Sequence, residues 1–90
     1  MAGLIKIDFH RNFDKRFSRL SKKSQEQFKK RLELLAEDRF NPLLNSHALK
    51  GSYEGYRSIN VTGDIRAVFI AHSDNHVEFV EIGSHSQLYG

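Results

Sequence analysis

His47, Asp64 and His85, with Arg57 and Arg66, are the side chains of this 90-residue chain best suited to acid–base chemistry on a phosphodiester. Cutting RNA with side chains alone needs three things. A base must take the proton of a 2′-hydroxyl, positive donors must meet the charge that gathers on the phosphorus-bound oxygens, and an acid must protonate the departing 5′-oxygen. Histidine suits either proton-transfer role, because its ordinary pKa of ~6.5 leaves both forms accessible near neutrality. Each of these residues also has a plainer reading. A lone His such as His47 is commonly a surface or capping residue, and Arg57 could serve only in ion pairs. Asp64 follows Gly63 where a turn is expected, and Asp in turns bonds to nearby backbone amides.

The remaining candidates are weaker. His72 and His76 are four residues apart around an expected turn and could hold a metal if a third ligand converged, but there is no Cys and no evident third ligand nearby, so neither a metal nor a cofactor is expected. Glu78 and Glu81 read as solvated or paired strand residues that point to opposite faces, by the period-two alternation of a strand.

These residues need elements to position them. Ile5, Ile7 and Phe9 alternate within Leu4–Phe9 and predict a first strand. Phe13, Phe17 and Leu20 then recur at helical spacing. Ser24 with Gln27 matches a capping box for a second helix, which Phe28, Leu32 and Leu35 continue to about Asp38, and Phe40-Asn41-Pro42 ends it. From Tyr56 onward the pattern changes to strands, Tyr56–Val61, Ile65–Ala71 and His76–Ile82, separated by Thr62-Gly63 and Ser73-Asp74-Asn75. The expected fold class is α+β: two N-terminal helices on one face of a four-stranded, mainly antiparallel sheet in the order β-α-α-β-β-β, with the chemistry on the free face. In that strand pattern Arg66 points away from the face of Ile65, alongside Asp64 and Val68.

Length and composition set the bounds. Ninety residues suffice for one modest core, so a single domain over residues 1–90 is expected. Without Cys, disulfides and a thiolate nucleophile are excluded. No apolar run approaches the ~20 residues that cross a bilayer, and Met1-Ala2-Gly3-Leu4-Ile5-Lys6 lacks the long apolar stretch of a signal peptide, so a cytoplasmic location without membrane contact is expected. The net charge of +3 is uneven: residues 1–50 hold twelve Lys/Arg against six Asp/Glu, and residues 51–90 hold two against five. Between Arg11 and Arg31 the ratio is nine to two, a positive field that would attract a polyanion or else a solvated helix surface.

The second half also carries a resemblance. His47-Ala48-Leu49-Lys50-Gly51, Gly55-Tyr56-Arg57, Gly63-Asp64-Ile65-Arg66-Ala67-Val68-Phe69 and Ile82-Gly83-Ser84-His85-Ser86-Gln87-Leu88-Tyr89, in that order, resemble successive motifs of the RelE/ParE toxin superfamily, in its YafQ-like branch of mRNA interferases. The closing element, a His after a strand with an aromatic four residues on, is the most specific of these. The resemblance implies the toxin of a type II toxin–antitoxin system, an endoribonuclease that cleaves mRNA on the ribosome and is held inactive by a cognate antitoxin. It places His47, Asp64 and His85 on YafQ-like catalytic positions, while Arg66 is similar to the arginine that RelE sets against the scissile phosphate. His85 is then the leading acid, His47 with Asp64 the base side, and Arg66 the charge partner, with the acid and base roles open to exchange. Tyr89 matches a terminal aromatic expected to stack on a nucleobase. Arg57, Asn60, Lys22, Lys23, Lys29 and Lys30 complete the expected RNA contacts, the lysines toward ribosomal RNA. Asn60 stands where many YafQ-like members carry another His, and Asn cannot relay a proton at neutral pH. Two rivals share the fold: a ParE-like inhibitor of DNA gyrase, and a non-catalytic relic that only binds its antitoxin.

Overall fold

The computed structural model describes residues 5–89. The chain runs from β1 (Lys6–Phe9) through α1 (Arg11–Ser18) and α2 (Lys22–Glu37) to a 3₁₀ turn at Pro42–Leu44. It continues with β2 (His47–Ala48), a second 3₁₀ turn at Gly51–Tyr53, β3 (Tyr56–Asn60), β4 (Ile65–Ser73), β5 (His76–Ser84) and α3 (His85–Tyr89). Leu4, the expected start of the first strand, lies outside the described residues.

The expected α+β arrangement is present, with one strand more than the pattern foretold. Among the described residues the sheet has five strands in the order β1-β5-β4-β3-β2. The extra strand is β2, whose two residues are too few to show an alternation, so only its antiparallel pairing of His47 with Ser58 and Ala48 with Arg57 reveals it. The β3–β4–β5 hairpins are antiparallel, and β1 pairs with β5 in parallel. No helix is long and apolar enough to cross a membrane among the described residues.

Both long helices begin on side-chain caps. His10 Nδ1 accepts from the Asn12 amide at the start of α1. The cap of α2 is Ser21, whose hydroxyl accepts from the Ser24 amide at 3.1 Å, so the helix begins three residues before the expected Ser24–Gln27 box. The reason is that Ser21 and Ser24 repeat the same spacing one turn earlier, and the earlier hydroxyl satisfies the free amide first.

Phe13, Phe28 and Leu35 face the sheet and close on Ile59, Ala67, Phe69, Val77, Phe79 and Ile82. Rings dominate this contact: Phe79 lies 5.3 Å from Phe28, 5.3 Å from Phe69 and 5.6 Å from Phe13, at the tilted and edge-on angles that aromatic quadrupoles favour. Because this packing fixes one sheet face against the helices, the alternate residues of β3 and β4 must occupy the other face.

On that other face, near the β4–β5 turn, His72 Nε2 meets Glu78 Oε1 at 3.0 Å and His76 Nε2 meets Asp8 Oδ2 at 2.8 Å. The two imidazoles are 4.9 Å apart, but each is engaged by its own carboxylate, and among the described residues no group of three or more His, Asp or Glu is arranged to hold a metal. The hydrogen bond from His76, with Lys6 nearby, holds the Asp8 carboxyl below its ordinary 3.8. A lowered carboxyl pKa means that the pairing stabilises the fold above about 3.8 and that this contribution is lost as pH falls through the lowered value. Urea melts of wild type and Asp8→Asn should therefore differ well above pH 3.8 and converge as the pH falls through the lowered value. A gap that persists in acid would show that the pairing contributes nothing.

Candidate active site

The free sheet face is built from register. His47, Ser58, Val68 and Glu81 stand in one row across β2, β3, β4 and β5, with Asn60, Arg66 and Gly83 in the neighbouring row. Glu81 reaches this face because of a bulge. The register slips between Val68 and Phe69, so Glu78 opposes Ile70 and Glu81 opposes Val68, two β4 residues that share a face. The alternation that put Glu78 and Glu81 on opposite faces is overturned by the one extra residue in β5.

His47, Arg66, His85 and Tyr89, joined by Leu49, Lys50, Tyr53 and Ser58, line a cleft of about 220 Å³ on this face. The four expected residues come from three separate segments of the chain. His47 comes from the edge strand β2, after Asn45 turns the chain with a left-handed φ of 50°. That turn brings the Asn45 carbonyl to 3.1 Å from His47 Nδ1. A carbonyl can only accept, so Nδ1 carries the proton and Nε2 of the neutral ring keeps its lone pair.

Arg66 is tethered by one end. Its Nη1 donates to the carbonyls of Thr62 at 3.0 Å, Ile65 at 3.2 Å and Gly63 at 3.3 Å, which holds the guanidinium against the β3–β4 turn. The fork keeps donors on Nε and Nη2 for another partner.

His85 is placed by a reciprocal cap. The Ser84 amide donates to Gln87 Oε1 at 2.8 Å, and the Gln87 amide donates to the Ser84 hydroxyl at 3.2 Å. This capping pair starts α3 directly after β5 and makes His85 its first residue. At Gly83 a Cβ would stand 2.8 Å from Gln87 Oε1, so a larger residue would displace the Gln87 side chain from its bond to the Ser84 amide. The His85 ring lies 4.8 Å from the ring of Tyr89, and Tyr89 meets Tyr53 edge-on at 5.8 Å. Tyr53 ties these parts together: its hydroxyl donates to Glu81 Oε2 at 2.8 Å, with the Leu88 carbonyl at 3.4 Å. Donation to Glu81 and burial push the Tyr53 phenol above its usual range.

Other expected residues fall elsewhere. Asp64 is exposed in the β3–β4 turn, its amide on the Thr62 hydroxyl, and does not line the cleft. Arg57 alternates with Ser58 onto the helix-side face, where its Nε donates to the Ser46 hydroxyl at 3.0 Å. Asn60 is half-buried, opposite Arg66 and outside the cleft lining. Lys22, Lys23, Lys29 and Lys30 are exposed on α2, on the helical side of the sheet and apart from the cleft. Lys50, Tyr53 and Ser58 are cleft residues that the sequence reading did not single out. Lys50 lies within the His47–Gly51 motif, and Ser58 shares a strand face with Asn60 but carries no chemical signature of its own. Tyr53, in a 3₁₀ turn, gave no signal.

Three comparisons with known proteins bear on this geometry. The family model described as the bacterial toxin of type II toxin–antitoxin system, YafQ, matches residues 5–90. Among curated proteins, none matches the chain. Solved structures with the same fold include YafQ from E. coli strain BL21(DE3), with a TM-score of 0.80 at 22% identity over 96% of this chain and 99% of that one. A chain of the E. coli DinJ–YafQ toxin–antitoxin complex superposes with a TM-score of 0.78 at 23% identity over 97% and 99% of the two chains. A YoeB/ParE toxin from Agrobacterium tumefaciens gives 0.75 at 20% identity over 90% and 99%.

Proposed function

The chain belongs to the YafQ family of toxins of bacterial type II toxin–antitoxin systems, and from that premise we propose that it is an endoribonuclease that cleaves mRNA on the ribosome. The observation that carries this reading is the convergence of His47, Arg66 and His85 on one cleft of the free sheet face, from three separate segments.

The proposed steps follow the proton positions. In the neutral form of His47 the bond from Nδ1 to the Asn45 carbonyl leaves the lone pair on Nε2, and that nitrogen takes the proton of a 2′-hydroxyl. The freed O2′ attacks the adjacent phosphorus, and Arg66 and Lys50 face the charge on its oxygens. His85 protonates the O5′ as the P–O5′ bond breaks, leaving a 2′,3′-cyclic phosphate, or the 3′-phosphate derived from it, and a 5′-hydroxyl. Asp64 acts on the base side only through its charge, from the turn beyond the cleft. Tyr89 offers its ring to a nucleobase, and the exposed lysines of α2, with Arg57 on the same helix-side face and Asn60 beside Arg66, meet RNA phosphates. The partner that restrains the toxin is a cognate antitoxin, a reading supported by the DinJ–YafQ complex of the E. coli relative. The whole chain acts as a single toxin domain in the cytoplasm, with no metal or other cofactor.

Primer extension on mRNA after expression, with end-group analysis of the fragments, tests this reading. Cleavage within reading frames, with 5′-hydroxyl ends and 2′,3′-cyclic phosphate or 3′-phosphate partners, is the expected result. Fragments with 5′-phosphate and 3′-hydroxyl ends, the products of attack by water rather than by the 2′-hydroxyl, would remove the side-chain mechanism. Intact transcripts beside accumulating gyrase–DNA breaks would replace the reading with gyrase inhibition.

A further inference from the structure

Three buried side-chain polar atoms have no hydrogen-bond partner among the described residues: Arg31 Nε, Ser58 Oγ and the Tyr89 hydroxyl. Ser58 and Tyr89 both line the cleft that holds His47, Arg66 and His85. Buried polar groups are nearly always paired, because an orphaned one forfeits its hydration, and native exceptions point to a ligand or water that completes them. Two such exceptions in one small cleft share one explanation, an occupant that supplies the missing bonds.

Ser58 is the stronger of the two. Its residue is 0% exposed, and it lies on β3 between β2 and β4, on the cleft side of the sheet. His47 lies directly opposite on β2, and Arg66 lies on the diagonal on β4. The cleft also holds Lys50, so its formally charged side chains, Lys50 and Arg66, are cations. A hydroxyl can donate or accept, but among cations the complementary occupant is an anion, and toward an anion the hydroxyl donates. The phenol of Tyr89, on the adjacent α3, offers a second donor of the same kind.

We propose that Ser58 is a phosphate-binding residue of the cleft, its hydroxyl donating to a phosphate oxygen held between His47 and Arg66, with the Tyr89 hydroxyl as a second donor. The inference rests on the reading of the cleft as the place where an RNA phosphate binds, and adds residues to it that act on the oxygens rather than on protons. It also accounts for a buried polar side chain at a position where an apolar one would pack without cost.

The test is a titration of the purified chain with inorganic phosphate, followed by NMR of the His47 and His85 ring signals, on wild type, Ser58→Ala and Tyr89→Phe. The phosphate dissociation constant should rise about 10–100-fold in Ser58→Ala, the worth of a hydrogen bond to a charged group, with a rise of the same direction in Tyr89→Phe. The melting temperature of Ser58→Ala should equal or exceed that of wild type, since the variant removes an unsatisfied group. Unchanged phosphate affinity in Ser58→Ala, no phosphate response in wild type, or a clear fall in melting temperature would each overturn the assignment. Intact RNA with wild type, beside the expected loss of phosphate affinity, would sink the ribonuclease reading and leave Ser58 as a phosphate ligand. RNA cleavage by wild type with phosphate affinity unchanged in Ser58→Ala would do the reverse.

Discussion

Replacing His85 by Ala should lower the rate of mRNA cleavage by about 10²–10⁴-fold, the usual contribution of a positioned general acid. The side chain is exposed at the first position of α3, and its own ring makes no hydrogen bond among the described residues, so the fold should tolerate its loss. The Ser84–Gln87 capping pair that starts α3 uses no atom of the His85 side chain. Cleavage mapping on ribosome-bound mRNA, wild type beside His85→Ala, reads the effect, and a melting curve of the same sample separates it from unfolding. Wild-type cleavage by the variant would remove His85 from the chemistry. In the proposed mechanism the loss concerns protonation of the leaving O5′, so a substrate whose leaving group needs no proton should recover much of the rate, as Brønsted behaviour requires.

Phe79→Ala should have the largest effect on stability, about 3–5 kcal/mol. The ring is 0% exposed and sits among Phe9, Phe13, Phe28 and Phe69, contacting residues from β1, α1, α2 and β4 at once. A cavity there cannot collapse from one side, because its walls belong to both the sheet and the helices. Against a total stability of roughly 5–15 kcal/mol for a domain of this kind, the loss would leave a substantial unfolded fraction or abolish folding. Equilibrium urea unfolding measures it. A cost below about 1 kcal/mol would show that the aromatic cluster is not the centre of the core. Phe79→Leu is the informative companion, because it keeps a large apolar side chain in place, leaves a smaller cavity and should cost clearly less than Phe79→Ala.

The fold was largely legible because its elements announce themselves locally. Phe13, Phe17, Phe28, Leu32 and Leu35 recur at helical spacing, and the three later strands alternate between two well-marked turns. What escaped was short or broke its own period. The two-residue β2 has no pattern, the Ser21 cap competes with an equally plausible Ser24, and the bulge in β5 reverses the facing of Glu81. In the cleft, His47, Arg66, His85 and Tyr89 were nameable from their types and their motifs, whereas Ser58 and Tyr53 were not. A serine in a strand and a tyrosine in a turn carry no chemical signature until their hydroxyls are seen to lack a partner, or to have found one in Glu81.

The sequence by itself determined the order of elements, the basic first half and the histidines and arginine available for acid–base work, because these depend on residue type and short-range period. Only the tertiary structure decided which of them meet. The distance from Asp64 to the cleft depends on a turn geometry, the facing of Arg57 on strand register, and the tautomer of His47 on a carbonyl two residues away that a left-handed Asn45 swings into place. Register and turn geometry are set by how sheet and helices pack as a whole, and a one-residue shift in either moves a side chain to the opposite face.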